Sequence, residues 1–282
     1  MNDLVSDLQL LMRQPSVSAK KNGLLECSHL VKKIMEKAGI ETELLSLEKN
    51  NNTNYKNNNL KTDSEIDDMC SRPPLIYGEV KSKRNPNGKT LLFYNHYDVQ
   101  PEDPIELWEN KEPFSGRVNG NYIYGRGSSD DKGELITRIK AVEYLLKSYG
   151  DVPCNIKFIV EGEEEIGSPN LEKFLLQYKE KLKCDGVIWE FGYIDEKERP
   201  IIMLGVKGIL FVELVCNGGP SREVHSSLAT LIENPAWILV DALKTLRNKD
   251  GRILIKDWYK EVKTFSQAEL NILENMALPK IY

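Results

Sequence analysis

Apolar residues recur along this chain at two spacings. Over 22–38 they fall three and four apart: Leu24, Leu30, Val31, Ile34, Met35 and Ala38 share one side, with charged residues opposite. That spacing predicts an amphipathic helix, and Gly39 marks its C-terminal stop. Residues 2–12 carry a shorter stripe (Leu4, Leu8, Leu11) and 132–148 a longer one (Leu135, Ile139, Val142, Leu145, Leu146). Further helices are predicted over 169–181 and over 235–246, the latter opened by Pro235. Between these stripes lie short β-prone runs: Ile40–Leu47, Leu75–Val80, Thr90–Asn95, 155–160 and Gly186–Trp189. Asn85-Pro86-Asn87-Gly88 predicts a turn between two of them. Strands alternating with helices predict an α/β fold, a largely parallel or mixed sheet flanked by helices on both faces.

Two stretches break the alternation. Seven of the ten residues 50–59 are Asn, with acidic residues and Ser beyond. Such a segment buries too little apolar surface to offset its ordering entropy, so 49–72 reads as a flexible surface insertion. After Pro200 the pattern changes again. Gly208–Cys216 predicts a long strand, Gly218-Gly219-Pro220 a turn, and Arg252–Ile255 a short strand. The expected division is therefore a main domain over 1–204 and a smaller αβ unit over 205–282, incomplete at its end.

Composition narrows the function classes. A formal net charge of −5 argues against a general nucleic-acid binder, which would show a basic face. No apolar run approaches a membrane span. The start lacks the cationic and apolar regions of a secretory signal. The five cysteines are scattered with no Cys-x-x-Cys pair, as expected of reduced thiols in a cytoplasmic protein and not of a cysteine zinc cluster.

The candidate chemistry sits where β-prone runs stop. Leu91–Asn95 is followed by His96-Tyr97-Asp98, Ile156–Val160 by Glu161-Gly162-Glu163-Glu164-Glu165, and Val187–Trp189 by Glu190. Gly125-Arg126-Gly127-Ser128-Ser129-Asp130-Asp131-Lys132-Gly133 delivers two adjacent Asp residues to a helix start. It lacks the Gly-Lys-Ser/Thr ending of a phosphate loop and the third Gly of a dinucleotide fingerprint. Each motif also has a plain reading: a surface His beside an Asp, a helix cap, a solvated acidic run. In an open α/β sheet, however, ligands bind beyond the carboxyl ends of the strands. There Asp98 could hold one ring nitrogen of His96 while the other meets a metal. If Asp98, Asp130, Glu164, Glu165 and Glu190 meet, each pair ~5 Å apart costs about 3 kcal/mol at an effective dielectric near 20. Protons or bound cations must neutralise such a cluster. A His among the carboxylates favours zinc, manganese or cobalt over calcium.

Taken in order, Asn95-His96-Tyr97-Asp98-Val99-Gln100-Pro101, Tyr124–Gly133, Glu161–Ser168 and Val224-His225-Ser226 resemble the dinuclear zinc aminoacylase/carboxypeptidase family. Its members include carnosinase-like dipeptidases, glutamate carboxypeptidase, acetylornithine deacetylase and succinyl-diaminopimelate desuccinylase. The resemblance implies a zinc-exopeptidase-like catalytic domain and two Zn2+ ions per complete site, with Mn2+ or Co2+ as alternatives. It implies that His96 and Glu190 each bind one metal, that Asp130 bridges both, and that Glu165 binds the second. Glu164 would be the general base for a bridging water, and Asp98 would orient His96. His225, from a lid domain that also forms a homodimer, would stabilise the oxyanion. Dipeptides, small peptides or N-acyl amino acids would be the substrates. The family's second metal also takes a His near the end of a considerably longer chain, whereas only His29, His96 and His225 occur here. His29, within a predicted helix, is assigned no function. The alternative expectation is thus a truncated, inactive remnant that acts at most as a metal-binding or dimerisation module.

Overall fold

The computed structural model describes residues 2–47, 72–190, 192, 194–195, 199–201, 203, 206, 208–218 and 224–275. The chain divides into two compact units, Met1–Gly192 and Tyr193–Tyr282. In the first, α1 (Asn2–Arg13) and α2 (Leu24–Lys37) precede β1 (Glu41–Leu45), β2 (Leu75–Val80) and β3 (Thr90–His96). A small hairpin of β4 (Arg117–Asn119) and β5 (Tyr122–Tyr124) leads into α3 (Lys132–Tyr149). Then come β6 (Asn155–Glu161), α4 (Leu171–Gln177) and β7 (Gly186–Ile188).

The main sheet has the order β1-β2-β6-β3-β7. The α/β expectation holds, and the sheet is mixed: β1/β2 and β2/β6 are antiparallel, β6/β3 and β3/β7 parallel. The parallel half matters for function. β6, β3 and β7 run the same way, so their carboxyl ends emerge on one side of the sheet.

Period-two alternation sends the side chains of these strands to two apolar layers. Ile76, Phe158 and Val160 pack under α1, α2 and α3 with Leu11, Met12, Val31, Met35, Leu135 and Ile139. Leu75, Tyr77, Leu92, Tyr94 and Ile159 pack on the opposite face with Phe174 of α4 and Leu182. Helices cover both faces, as the run of apolar stripes implied. Gly39, at φ +86°, ends α2 in the left-handed conformation that its position predicted. Phe158 is fully buried, its ring 5.1 Å from that of Phe93. Phe158→Ala is expected to lower unfolding free energy by about 3–5 kcal/mol. Urea titration of both proteins measures this, and a loss below about 1 kcal/mol would contradict the packing described.

The second unit departs from expectation. Its helices form as their caps dictate: Asn234 Oδ1 accepts from Ala236 N at the start of α5 (Pro235–Leu246), and Ser266 and Glu269 form a reciprocal box at α6 (Gln267–Glu274). Gly208–Cys216, however, is not a strand: it enters no ladder among the described residues, and Ile209 and Phe211 are 93% and 90% exposed. A β-prone run becomes a strand only where a partner takes its N–H and C=O groups. Likewise Arg252–Ile255 reduces to one bridge, Arg247 to Ile253. The Asn-rich insertion lies outside the described residues except Arg72. No helix among the described residues is long and apolar enough to cross a membrane.

Candidate metal centre

His96 is the last residue of β3 and is completely buried. It stands in register with Glu161, the last residue of β6, and the ladder continues one step through Tyr97 N donating to Glu161 O (2.8 Å). Gly162 then passes flat against Tyr97: a Cβ there would lie 2.4 Å from the ring. The glycine therefore permits the turn that carries Glu163, Glu164 and Glu165 back toward β3.

Asp98, also fully buried, fixes both sides of this junction. Its carboxylate accepts from Glu164 N (3.2 Å) and Glu165 N (3.1 Å). Nδ1 of His96 faces the main-chain oxygen of Asp98 at 3.0 Å and its carboxylate at 3.3 Å. An N–H at Nδ1 directed there leaves Nε2 for a cation. Around Nε2 stand Asp130 Oδ1 at 2.9 Å, Glu190 Oε2 at 3.4 Å and Glu164 Oε2 at 3.9 Å.

The Gly-rich loop supplies two carboxylates to this point. Its closure needs Gly133, where a Cβ would lie 2.0 Å from Ser128 O. Asp131 occupies the N-cap position of α3 but makes no side-chain capping bond, so capping does not account for it. It is buried instead, and one oxygen accepts from His96 N (2.9 Å) and Asn95 Nδ2 (2.8 Å). Lys132 points away, its ammonium donating to Leu11 O in the last turn of α1 and to Gln14 O just past it.

The acidic run divides in two. Glu161 accepts from Tyr94 Oη and Ser168 Oγ, and Glu163 accepts from Asn170 Nδ2 with both oxygens. These two carboxylates hold the turn together. Glu164 and Glu165 face the His96 cluster, and Glu165 also accepts from Gln100 N and Nε2. Ligand atoms of His96, Asp130 and Glu165 all lie within 4.8 Å of one another, as do those of His96, Asp131 and Glu190.

This concentration of carboxylates shifts their protons. Burial opposes a charge on His96, but hydrogen bonds to Asp130 and Asp98 and the nearby Asp131 carboxylate outweigh it and push the imidazole up to about 12. Burial raises Glu190 to about 8 and Asp131 to about 7, and it also raises Glu164 and Glu165. Asp130 is held low by its hydrogen bond to His96. One oxygen each of Asp131 and Glu190 is buried without a hydrogen-bond partner. Buried carboxyl oxygens without a hydrogen bond, beside one imidazole nitrogen, suit a divalent cation as a donor set.

Six of the seven residues expected from sequence, His96, Asp98, Asp130, Glu164, Glu165 and Glu190, thus lie around one point. The seventh, His225, belongs to the second unit, where its Nδ1 accepts from Ser227 N at the turn Ser226–Leu228. Sequence reading did not assign Asp131 or Asn95. The doubled Asp was the only signal, since one helix cap cannot use both.

The sequence profile of Peptidase family M20/M25/M40 matches residues 92–273, well over half of the chain. The chain is 33% identical over 208 residues to a Cys-Gly metallodipeptidase of Schizosaccharomyces pombe, covering 72% of this chain and 43% of that one. It is 33% identical over 204 residues to the Beta-Ala-His dipeptidase of Homo sapiens, covering 71% and 39%. Among solved structures, an M20 family metallo-carboxypeptidase from Sulfolobus solfataricus superposes with a TM-score of 0.82 at 37% identity, over 99% of this chain and 57% of that one. The chain therefore spans about half the length of the relatives it matches. On the extent of the profile match, it belongs to Peptidase family M20/M25/M40.

Proposed function

We propose that the protein is a metal-dependent hydrolase of amide bonds in dipeptides, small peptides or N-acyl amino acids. The observation that carries this reading is the convergence of carboxylates from two strand ends and a loop on Nε2 of one buried histidine, which ends a third strand. His96, Asp130, Glu165 and Glu190 would hold the metal. Zinc suits the mixed nitrogen and oxygen set, with manganese or cobalt as alternatives. When bound, the metal supplies Lewis acidity and ionises water near neutral pH. Asp98 orients His96 and, through its two backbone bonds, the turn bearing Glu164. Glu164 takes a proton from the attacking water and returns it to the leaving nitrogen.

Residues 1–204 are the catalytic domain in this reading, and 205–282 belong to a lid that also forms a homodimer. His225 stabilises the oxyanion, and the enzyme works in the cytoplasm. The names of the relatives, Cys-Gly and Beta-Ala-His dipeptidases, favour dipeptides among the substrates. Likeness to metallodipeptidases gives no support to an inactive remnant. The test is hydrolysis of a panel of dipeptides and N-acyl amino acids before and after chelation. Cleavage that disappears on chelation and returns with zinc, manganese or cobalt is expected. Chelator-insensitive cleavage, or none by the loaded protein, would contradict the proposal.

Metal affinity should also depend steeply on pH. Ligands bind metals deprotonated, and in the metal-free protein His96 (about 12) and Glu190 (about 8) both retain protons at pH 7. Loading then expels both, so affinity is expected to rise about a hundredfold per pH unit below pH 8 and about tenfold per unit above it. Calorimetry in buffers of different ionisation enthalpy counts the protons released. A flat affinity between pH 6 and pH 8 would contradict the assignment of these two ligands.

A further inference from the structure

Glu190 lies beyond the reach of the sheet that should hold it. β7 is only three residues long, and its pairing with β3 ends at Phe93 opposite Ile188. Trp189 and Glu190 follow with no ladder bond to β3. The group that reaches them is Arg138, from the middle of α3. Its Nη2 donates to Trp189 O (2.6 Å), and its Nη1 donates to Tyr94 O (2.7 Å) and Asn95 Oδ1 (2.9 Å). The guanidinium thus joins the end of β3 to the residue before Glu190. Its own place is set from two sides: Glu134 accepts from Nη2 (3.4 Å), and the Phe93 ring lies 5.6 Å below.

The same contact extends to the cluster. Because Asn95 accepts from Arg138, its amide nitrogen is turned to donate to Asp131, which also accepts from His96 N. A second, apolar clasp supports the arrangement, with the Trp189 ring stacked on Tyr94 at 3.7 Å. We infer that Arg138 is a positioning residue that sets where Glu190 stands relative to His96, and so the affinity of the metal that Glu190 holds. This rests on the metal-site reading above. A planar fork is needed, since three acceptors from two chain segments share one group; a lysine ammonium is a point charge and cannot reproduce it.

The test is titration of the 282-residue chain and of Arg138→Lys and Arg138→Ala with zinc, then with cobalt while visible absorption is recorded. One metal equivalent is expected to weaken about 10- to 100-fold in both variants, with the cobalt bands of that equivalent altered. Turnover should fall while KM stays within about twofold. Ethylguanidinium, but not ethylammonium, should restore cobalt binding to Arg138→Ala. A purely structural arginine would lower the melting temperature and leave metal affinity and the cobalt spectrum as in the parent; that result overturns the inference alone. A parent chain that binds no metal overturns both it and the metal-site reading. Should Arg138→Ala fail to fold, Arg138→Lys, which keeps the charge and most of the volume, decides the matter.

Discussion

Glu164→Gln is expected to lower turnover of a cleaved dipeptide by about 10²–10⁴-fold while the protein stays folded and metal-loaded. The reason lies in how the acidic run is used. Glu161 is bound by Tyr94 and Ser168, and Glu163 by Asn170. Glu165 is engaged by Gln100. Glu164 has a carboxylate oxygen 3.9 Å from Nε2 of His96, and it joins the turn through its backbone, N–H to Asp98 and C=O from Gly167 N. Burial raises its pKa, moving it toward the range in which a carboxylate can both accept and return a proton near neutrality. Glutamine keeps the shape and removes only that capacity. Steady-state kinetics with the metal content measured on the same sample makes the test: turnover within about threefold of the parent would remove Glu164 from the chemistry. Glu163→Gln is the contrast, since its bonds to Asn170 serve the turn and the loss should fall on stability.

His96→Ala is expected to reduce metal affinity more than a hundredfold, beyond the about 10- to 100-fold that loss of an outer partner such as Asp98 would cost. His96 contributes the only nitrogen among the grouped ligand atoms and belongs to both sets. Its removal also strips the cluster of a positive charge. Each remaining carboxylate pair at ~5 Å repels by about 3 kcal/mol at an effective dielectric near 20. The metal-free variant should therefore hold the protons of Glu190 and Asp131, both already raised by burial, to higher pH than the parent does. Isothermal titration with zinc reads the affinity. A variant that binds zinc as tightly as the parent would show that the cation sits elsewhere.

Much of this site was legible because it depends on where strands end. A β-prone run closed by His or Glu marks a carboxyl edge, and β3, β6 and β7 do run parallel with those edges together. The acidic run was less transparent. Four similar glutamates differ in role only through Tyr94, Ser168, Asn170 and Gln100, which reach them from other segments. Asp131 and Arg138 were hidden for the same reason: a buried polar network is defined by its acceptors, and those are far away in the chain. Gly208–Cys216 shows the opposite failure. Its residues favour a strand, but β-propensity expresses fit to a neighbouring strand, and none pairs with it among the described residues.

The central claim, that side chains from separate strand ends enclose a catalytic cation, is tested most directly by anomalous diffraction at the zinc edge from crystals grown with zinc. Signal in contact with His96 Nε2 and the carboxylates of Asp130, Glu165 and Glu190 is the expected result. Zinc bound only at other residues, or none at His96 under saturating metal, would contradict it.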